Sequence, residues 1–184
     1  KVLTANINSV DSLNLIYKNI SDLTGIEDFT ALSFLNCSSN QLTNLDVSQN
    51  TALTGLYCDD NQLTNLDITK NTALTGFSWY KNKLNNLDVS KNTALTKLSC
   101  STNKLTSLDV SQNIHLIYYL SCDENKLTNL DVSQNTALTR LYCDDNQLTN
   151  LDVSKNTALI ALGCGNNKFD CDSLIAKFGL NYEY

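Results

Sequence analysis

Seven cysteines, one histidine and several neighbouring carboxylates are the residues of this 184-residue chain that could support chemistry. Six of the cysteines occupy one position of a repeating pattern: Cys37, Cys58, Cys100, Cys122, Cys143 and Cys164. Thiols in register suggest a metal centre or disulfide bonds. Zinc sites usually contain close pairs such as C-x2-C, however, and these cysteines are separated by a whole repeat.

Core packing explains the cysteine series better than a metal centre or disulfide bonds do. Equivalent Cβ atoms on stacked parallel strands lie about 4.8 Å apart, which is longer than the roughly 3.5–4.5 Å that a disulfide requires. A reduced cysteine behaves as a small apolar side chain and fits a tight core. We therefore predict a ladder of buried thiols and no metal site. The sequence leaves open whether Cys171, outside the ladder, is bridged to Cys164.

Catalysis finds little support in the sequence. His115 is the only histidine, and it lies in the irregular stretch 113–119, with no serine or cysteine that can be assigned to it as a nucleophile. The carboxylates recur along one edge with no cleft implied, and a glycine-rich phosphate loop is missing. We predict no enzymatic activity and no cofactor for this chain.

The elements that position these residues are repeats. Blocks of one pattern end in Asn40, Asn61, Asn82, Asn103, Asn125, Asn146 and Asn167, at steps of 21, 21, 21, 22, 21 and 21 residues. Each block places leucines, the cysteine and the asparagine at fixed offsets, as in Leu53, Leu56, Cys58, Asn61 and Leu63. A degenerate copy with Lys18 at the asparagine position precedes them. The sequence thus contains about eight coils.

Such short repeats must stack, because one repeat cannot bury its own apolar residues. The segment Leu56-Tyr57-Cys58 alternates inward and outward, which predicts one strand per coil and a parallel sheet. The other half of each coil, such as 66–73, is too short for a helix and predicts turns bonded by Asp and Asn side chains. The asparagines that end the blocks predict an internal hydrogen-bond ladder.

One repeat departs from the cysteine pattern. Trp79 takes the cysteine position and Phe77 replaces the neighbouring leucine. An indole there requires local repacking and a hydrogen-bond partner for its N–H group. The sequence does not decide between simple drift and a bulge in the sheet.

This pattern resembles the leucine-rich repeat over nearly the whole chain. The form LDVSxNTAL, as in 45–53, is similar to repeats of secreted or surface proteins of Bacteroidetes-type bacteria, and 19–26 resembles the repeats of bacterial internalins. The resemblance implies an α/β, right-handed solenoid with one parallel sheet on the concave face, turns on the convex side and a location outside the cell. It also implies recognition of a host or environmental protein, or adhesion.

The ends of such a solenoid need caps. We predict an N-terminal cap over 1–12, with Leu3, Ile7 and Val10 covering the first coil, repeats over 13–169, and a C-terminal cap over 170–184. In the last segment Asp172 is predicted to N-cap a short helix that runs to Phe178 and ends at Gly179. Its apolar face would consist of Leu174, Ile175 and Phe178.

Function is expected at the outward positions of the sheet, because the repeated positions are committed to packing. Tyrosine and arginine are enriched at protein contacts, and an acidic edge runs beside them: Asp59, Asp60, Asp123, Glu124, Asp144 and Asp145. The candidate ligand-binding residues are Tyr57, Asp59, Tyr80, Lys97, Tyr119, Asp123, Arg140, Tyr142 and Asp144. The acidic edge could also hold a weak Ca²⁺, and a threonine series on the convex side could suggest ice binding, but a solvated face and a repeated turn cap explain these features more simply.

Composition narrows the classes of partner that the chain could bind. A net charge of −6 and a pI near 4.6 argue against nucleic acid and anionic membranes, and no apolar run approaches the roughly 20 residues of a membrane span. A start at Lys1 suggests a processed or trimmed fragment. We expect a monomeric binding module whose ligand is a protein, with a glycan as the second choice; the alternative function is a structural spacer within a larger surface protein.

Overall fold

The computed structural model describes residue 7 and residues 9–182 of the chain. Its main element is one nine-stranded parallel sheet in which the strands follow one another in chain order. The strands are β1 (Ser12–Asn14), β2 (Phe34–Asn36), β3 (Gly55–Tyr57), β4 (Gly76–Ser78), β5 (Lys97–Ser99), β6 (Tyr119–Ser121), β7 (Arg140–Tyr142), β8 (Ala161–Gly163) and β9 (Asn181–Tyr182). This arrangement is the predicted leucine-rich-repeat solenoid.

In each three-residue strand, only the middle residue points into the coil. Leu35, Leu56, Leu98, Leu120 and Leu141 hold this position and are fully buried, while their neighbours point outward. The register places these residues directly beside one another across the sheet, as in the pairing of Leu56 with Leu35 and Phe77. The apolar interior therefore runs as one continuous stack along the solenoid.

The predicted asparagine ladder is confirmed, and Asn61 shows its chemistry. Its Nδ2 donates to the carbonyl oxygens of Cys58 and Asp59 in its own coil and of Cys37 in the preceding coil, at 3.0–3.2 Å. Its Oδ1 accepts from the backbone N–H of Leu42 at 2.9 Å. One amide thus makes four hydrogen bonds, two of which join it to the preceding coil.

A second asparagine ladder, which the sequence analysis missed, lies at the opposite side of each coil. It consists of Asn50, Asn71, Asn92, Asn113, Asn135 and Asn156, all buried. The Nδ2 of Asn92 donates to the carbonyl oxygens of Ile68 and Asn71 in the preceding coil, at 3.0 and 2.9 Å. The Oδ1 atoms of this ladder have no hydrogen-bond partner among the described residues, so these side chains act purely as donors.

The thiol ladder is confirmed for five of its six predicted members, since Cys164 is bonded to Cys171. Cys37, Cys58, Cys100, Cys122 and Cys143 are free and fully buried. Burial raises the pKa of the Cys100 thiol to about 12 and raises that of Cys122 well above its ordinary value. Cys100 and Cys122 are therefore neutral, unreactive thiols.

Trp79 enters this ladder without disturbing the sheet. Strand β4 pairs in register with both neighbours, so the bulge considered from the sequence does not form at Trp79. The indole is fully buried, with its ring centroid 6.0 Å from that of Phe77. The predicted partner for its N–H group is wrong: Nε1 has none among the described residues. Packing against Phe77 holds the ring in place instead.

The remainder of each coil forms turns, as predicted. The exposed aspartates of the LDVS-type segments accept hydrogen bonds from the backbone N–H two residues on, for example Asp67 from Thr69 at 2.9 Å. Hydrogen bonds from Thr69 lower the pKa of Asp67, and those from Ser90 lower that of Asp88. A 3₁₀ turn occurs at Ile26–Asp28.

The C-terminal cap is helix α1 (Cys171–Phe178), with Gly179 as its left-handed C-cap. Its N-cap is Asp170, whose carboxylate accepts from the backbone N–H of Ser173, so the predicted N-cap at Asp172 is wrong by two residues. The first helical residue, Cys171, forms a disulfide with Cys164. Leu174, Ile175 and Phe178 pack against the core, as expected.

At the N-terminal end, the expected cap can be followed only in part. Val10 packs against the core together with Leu13 and Leu15, and Ile7 borders an apolar depression near the first coil. Leu3 lies outside the described residues. The boundaries 1–12, 13–169 and 170–184 remain predictions.

The extra residue of the 22-residue step forms a bulge immediately before β6. The backbone N–H groups of Ile117 and Tyr118 both donate to the carbonyl oxygen of Thr96. Strand β6 then pairs with β5 through three residue pairs, whereas its described pairing with β7 has two. Leu120 and Cys122 keep their inward positions, so the bulge absorbs the whole insertion.

The part of the chain that the structure describes contains neither a membrane-spanning helix nor a cluster of metal-ligand side chains. No helix there has the length and apolar character that a bilayer crossing requires. No group of three or more His, Cys, Asp or Glu side chains there is arranged to hold a metal ion.

Replacing Cys100 by serine should lower the free energy of unfolding by about 1–3 kcal/mol, because it places a hydroxyl group in an apolar stack. Urea denaturation of the two proteins measures the difference. Cys100→Ala separates the loss of volume from the gain of polarity. A serine variant as stable as the parent would contradict the buried-ladder interpretation.

Replacing Asn92 by aspartate should destabilise the chain by about 3 kcal/mol or more at neutral pH, because a carboxylate replaces two donors beside two carbonyl oxygens. Burial should raise the pKa of the new carboxyl group in the folded state, so the loss should shrink as the pH falls. Denaturation at pH 7 and pH 4 tests both points. The exposed Asn86→Asp is the matched control, and equal losses in the two variants would refute the donor role.

Candidate functional site

The candidate residues lie on the outward side of the sheet, which we call the sheet face. It consists of the first and third residues of each strand and the second residue beyond the strand. Lys97, Tyr119 and Arg140 are first residues, and Tyr57 and Tyr142 are third residues. Asp59, Tyr80, Asp123 and Asp144 follow their strands. All nine candidates are thus on one side of the solenoid.

Phe34, Tyr57 and Lys97 form a cluster across the first half of the sheet face. The ring centroids of Phe34 and Tyr57 are 5.5 Å apart, and Lys97 Nζ lies 5.5 Å from the centroid of the Tyr57 ring. Gly55 and Gly76 make this possible. A Cβ atom at Gly76 would come within 2.7 Å of Lys97 Cε and 2.9 Å of the Tyr57 hydroxyl.

The electrostatics of this cluster follow from its contacts. The hydrogen bond with Tyr57 raises the pKa of Lys97, against the opposing effect of partial burial. Lys97 pairs laterally with Tyr119 on β6, where burial raises the pKa of the phenol. The Lys97 cation therefore lies over the Tyr57 ring and beside Tyr119 on the neighbouring strand.

Asp59 and Tyr80 are connected through the backbone. The Asp59 carboxylate accepts from Ser78 Oγ at 2.5 Å and from the backbone N–H of Tyr80 at 2.7 Å. Partial burial raises the pKa of Asp59, and these two hydrogen bonds oppose that effect. The side chain of Tyr80 itself is exposed. Asp59 is thus partly occupied in joining two coils.

Asp123 and Asp144 have similar inter-coil contacts. Asp123 Oδ1 accepts from Ser101 Oγ at 2.7 Å and from Ser121 Oγ at 2.8 Å. Asp144 Oδ1 accepts from the backbone N–H of Gly165 at 2.7 Å. These carboxylates and Tyr142 border an open depression of about 410 Å³ in the second half of the sheet face.

Backbone conformation accounts for the outer row of the acidic edge. Asp60, Glu124 and Asp145 all adopt left-handed φ angles of 50–51°, a conformation that aspartate and asparagine tolerate better than most residues. The Asp60 carboxylate also forms an ion pair with Lys81, with an N–O distance of 2.9 Å. Part of the acidic edge is therefore explained by the turn that follows each strand.

The structure places six of the nine candidates in two groups. Tyr57, Lys97 and Tyr119 belong to the aromatic cluster, while Asp123, Tyr142 and Asp144 surround the acidic depression. Tyr57 and Tyr142 are four strands apart, or about 19 Å at the spacing of parallel strands. A ligand that contacts both tyrosines must span at least this distance.

Sequence reasoning missed one member of the aromatic cluster, Phe34. The signal was present in Gly55 and Gly76, two adjacent first-residue positions without side chains. Glycines beside a large residue leave space that its ring can cover. His115 is exposed in the turn that precedes β6.

No protein-family model and no curated protein matches the chain. Among solved structures, the chain is similar to the functional domain of InlJ from Listeria monocytogenes, a domain that includes a cysteine ladder. The two share 38% identity over 94% of this chain and 48% of that one, with a TM-score of 0.53. A leucine-rich-repeat protein of Leptospira interrogans is 27% identical over 86% of this chain and 44% of that one, with a TM-score of 0.78.

The chain therefore spans about half the length of these two structures. Internalin C2 from Listeria monocytogenes shares the fold, with a TM-score of 0.89 over 99% of this chain and 84% of that one at 21% identity. The solenoid is thus common to this chain and its structural neighbours, and a cysteine ladder is common to this chain and the InlJ domain. The chain belongs to the bacterial leucine-rich-repeat proteins with 21-residue repeats, whose fold is a protein-interaction fold.

Proposed function

We propose that the chain is a non-enzymatic recognition module that binds a protein ligand through the sheet face. The organised cluster of Phe34, Tyr57 and Lys97 carries this proposal. Its two aromatic rings and one cation offer a large contact area with directional polar groups, which is the composition of protein-binding hot spots. A structural spacer would need no such arrangement.

The cluster is also pre-organised. Gly55 and Gly76 give Phe34 and Tyr57 the space to lie along the sheet, and the Tyr57 hydroxyl holds Lys97. Side chains that are already ordered lose less conformational entropy when a partner binds. This favours specific binding over a merely solvated surface.

The acidic depression supplies a second contact of opposite charge. Asp123, Asp144 and Tyr142 border it, and the two aspartates are fixed by hydrogen bonds. A partner that spans both groups would meet a cation near the strand starts of the first half and carboxylates near the strand ends of the second half. We infer a protein of complementary charge pattern as the ligand; a glycan stacked on the tyrosines is the second candidate.

We further propose that the module acts in secretions or on the surface of a bacterium, in recognition or adhesion, and as a monomer. The resemblance of its repeats supports this location, and so does the Cys164–Cys171 disulfide, because disulfides persist in oxidising compartments. The net charge of −6 disfavours nucleic acid as a partner.

Replacing both Tyr57 and Tyr142 by alanine should leave the fold intact and weaken ligand binding by about tenfold or more. We would screen the purified chain against a panel of candidate surface proteins and a glycan array, with this variant alongside. Thr64→Ala/Thr149→Ala changes exposed residues of the same two coils away from the sheet face and is the matched control.

The outcomes separate the candidate functions. A protein ligand lost only in the tyrosine variant supports recognition by the sheet face. A hit restricted to glycans would replace the protein ligand by a sugar, and a folded chain that binds nothing would favour the spacer. Unfolding of the tyrosine variant would mean that these side chains support the core.

Replacing Tyr57 by phenylalanine should lower the pKa of Lys97 towards its ordinary value, because phenylalanine cannot hydrogen-bond the ammonium group. NMR titration of the lysine Cε resonances measures this shift. Lys81 is the internal control, since Asp60 and not Tyr57 raises its pKa. An unchanged pKa at Lys97 would argue against the pre-organised cluster.

A further inference from the structure

The C-terminal cap is a small element with limited packing against the last coil. Its helix α1 has eight residues, fewer than the roughly 12–15 that an isolated helix needs to be stable. Leu174, Ile175 and Phe178 pack against the core but are only half-buried. In the two-residue strand β9, Asn181 donates its N–H and Nδ2 to the carbonyl oxygen of Ile160 at 3.2 and 3.3 Å. Packing and backbone pairing alone therefore hold the cap weakly.

The asparagine ladders that join the coils end before the cap. Asn156 is the last member of one ladder, and its Nδ2 donates back to the preceding coil. Asn167 is the last member of the other, and its Nδ2 donates to the carbonyl oxygens of Cys143 and Cys164. Both ladders thus stabilise the coils and leave the cap to other interactions.

The thiol ladder changes its chemistry at the same point. In four coils the thiol donates to the carbonyl oxygen of the third strand residue of the following coil, as Cys143 does to Gly163 at 3.4 Å. After Cys164 the cap takes the place of a further coil, and the sulfur is bonded to Cys171 instead. Cys171 is the buried residue of α1. The disulfide therefore joins the first turn of the helix directly to the core.

We propose that the Cys164–Cys171 disulfide is a redox-controlled latch. The oxidised bond keeps the cap closed on the last coil, and its reduction lets α1 and β9 open while the coils of β2 to β7 stay folded. The bond links residues only seven positions apart, so it constrains the cap and not the rest of the solenoid. Local opening of this kind is expected where an element has few interactions of its own.

The opening reaction requires a dithiol reductant. Cys171 is 8% exposed and Cys164 has no exposed surface, so a thiolate of the reductant attacks Sγ of Cys171. The S–S bond breaks, and Cys164 Sγ leaves with the electron pair and takes up a proton. The second thiol of the reductant, as a thiolate, then attacks its partner sulfur in the mixed disulfide. Cys171 is released as a thiol, and the reductant leaves as its own disulfide after losing two electrons.

Hydrogen–deuterium exchange of the whole chain tests the latch, with the oxidised chain compared with the chain in dithiothreitol. The amides of α1 and β9 should exchange at least about tenfold faster after reduction. Those of β3 to β6 should change by less than about twofold. Equal exchange of the cap in the two states would overturn the latch. Faster exchange along the entire solenoid would also overturn it, because the disulfide would then support the whole fold.

Two cysteine variants assign the effect to this bond. Cys171→Ala removes the disulfide and leaves Cys164 in the core, so its cap should exchange as fast as that of the reduced parent and should not respond to dithiothreitol. Cys100→Ala is the matched control, since it removes a buried cysteine that is free, and it should keep the response. A response that persists in Cys171→Ala would overturn the assignment. The comparison of the two states of the parent chain does not depend on the folding of either variant.

Glutathione locates the sulfur that is attacked. The chain is incubated with glutathione, blocked with N-ethylmaleimide and digested with trypsin. Cys164 and Cys171 then fall in different fragments, 156–168 and 169–177, because Lys168 lies between them. The mixed disulfide should be found on fragment 169–177. Glutathione on fragment 156–168 would overturn the direction of attack and would mean that the last coil, and not the cap, opens to the reductant.

Discussion

The fold depends on hydrogen bonds that a single coil cannot make for itself. Each coil is short and mostly turn, so many of its backbone carbonyl and N–H groups face the interior or the neighbouring coil, where water cannot reach them. Asn61 satisfies such backbone groups, because its short side chain ends in two donors and one acceptor. Asn92 does the same for carbonyl groups on the opposite side of the coil. With both amides in place, the remaining inward positions are free to be apolar.

Much of this frame could be predicted from the sequence, because every copy obeys the same packing requirement. The parallel strands, the buried thiols and the Asn61-type ladder follow directly from spacing and side-chain size. The Asn92-type ladder was missed because its segment, such as Asn50-Thr51-Ala52, also fits a solvent-exposed turn cap. The start of α1 depended on whether Asp170 or Asp172 bonds the turn, a choice between two equally suitable residues. Neither error changes the fold, since both concern which of two polar side chains satisfies the backbone.

The candidate site was less predictable, because it depends on side chains that reach across several coils. Lys97 and Tyr57 meet over Gly76, and no pattern within one repeat contains that contact. The acidic residues, by contrast, contribute to the frame as well as to the surface. Asp59 and Asp144 are part of the surface, yet both also bond the backbone of the following coil. A variable position on this fold can therefore serve the surface and the frame together, and charge alone does not identify a binding residue.

The positions just before the strands show how such a frame acquires a new surface at little cost. The carbonyl oxygen of Thr54 accepts from two backbone N–H groups, those of Thr75 and Gly76, before it receives the Thr75 hydroxyl. Losing that hydroxyl leaves no carbonyl without a partner, so isoleucine can replace threonine where the carbonyl of Thr139 still accepts from Ile160. An insertion is tolerated at this same point for a related reason: within the strand it would turn Leu120 and Cys122 outward, whereas one residue earlier it only lengthens the approach. Substitution and insertion should therefore collect just before the strands, which is where Ile117, Tyr118 and Ile160 are found.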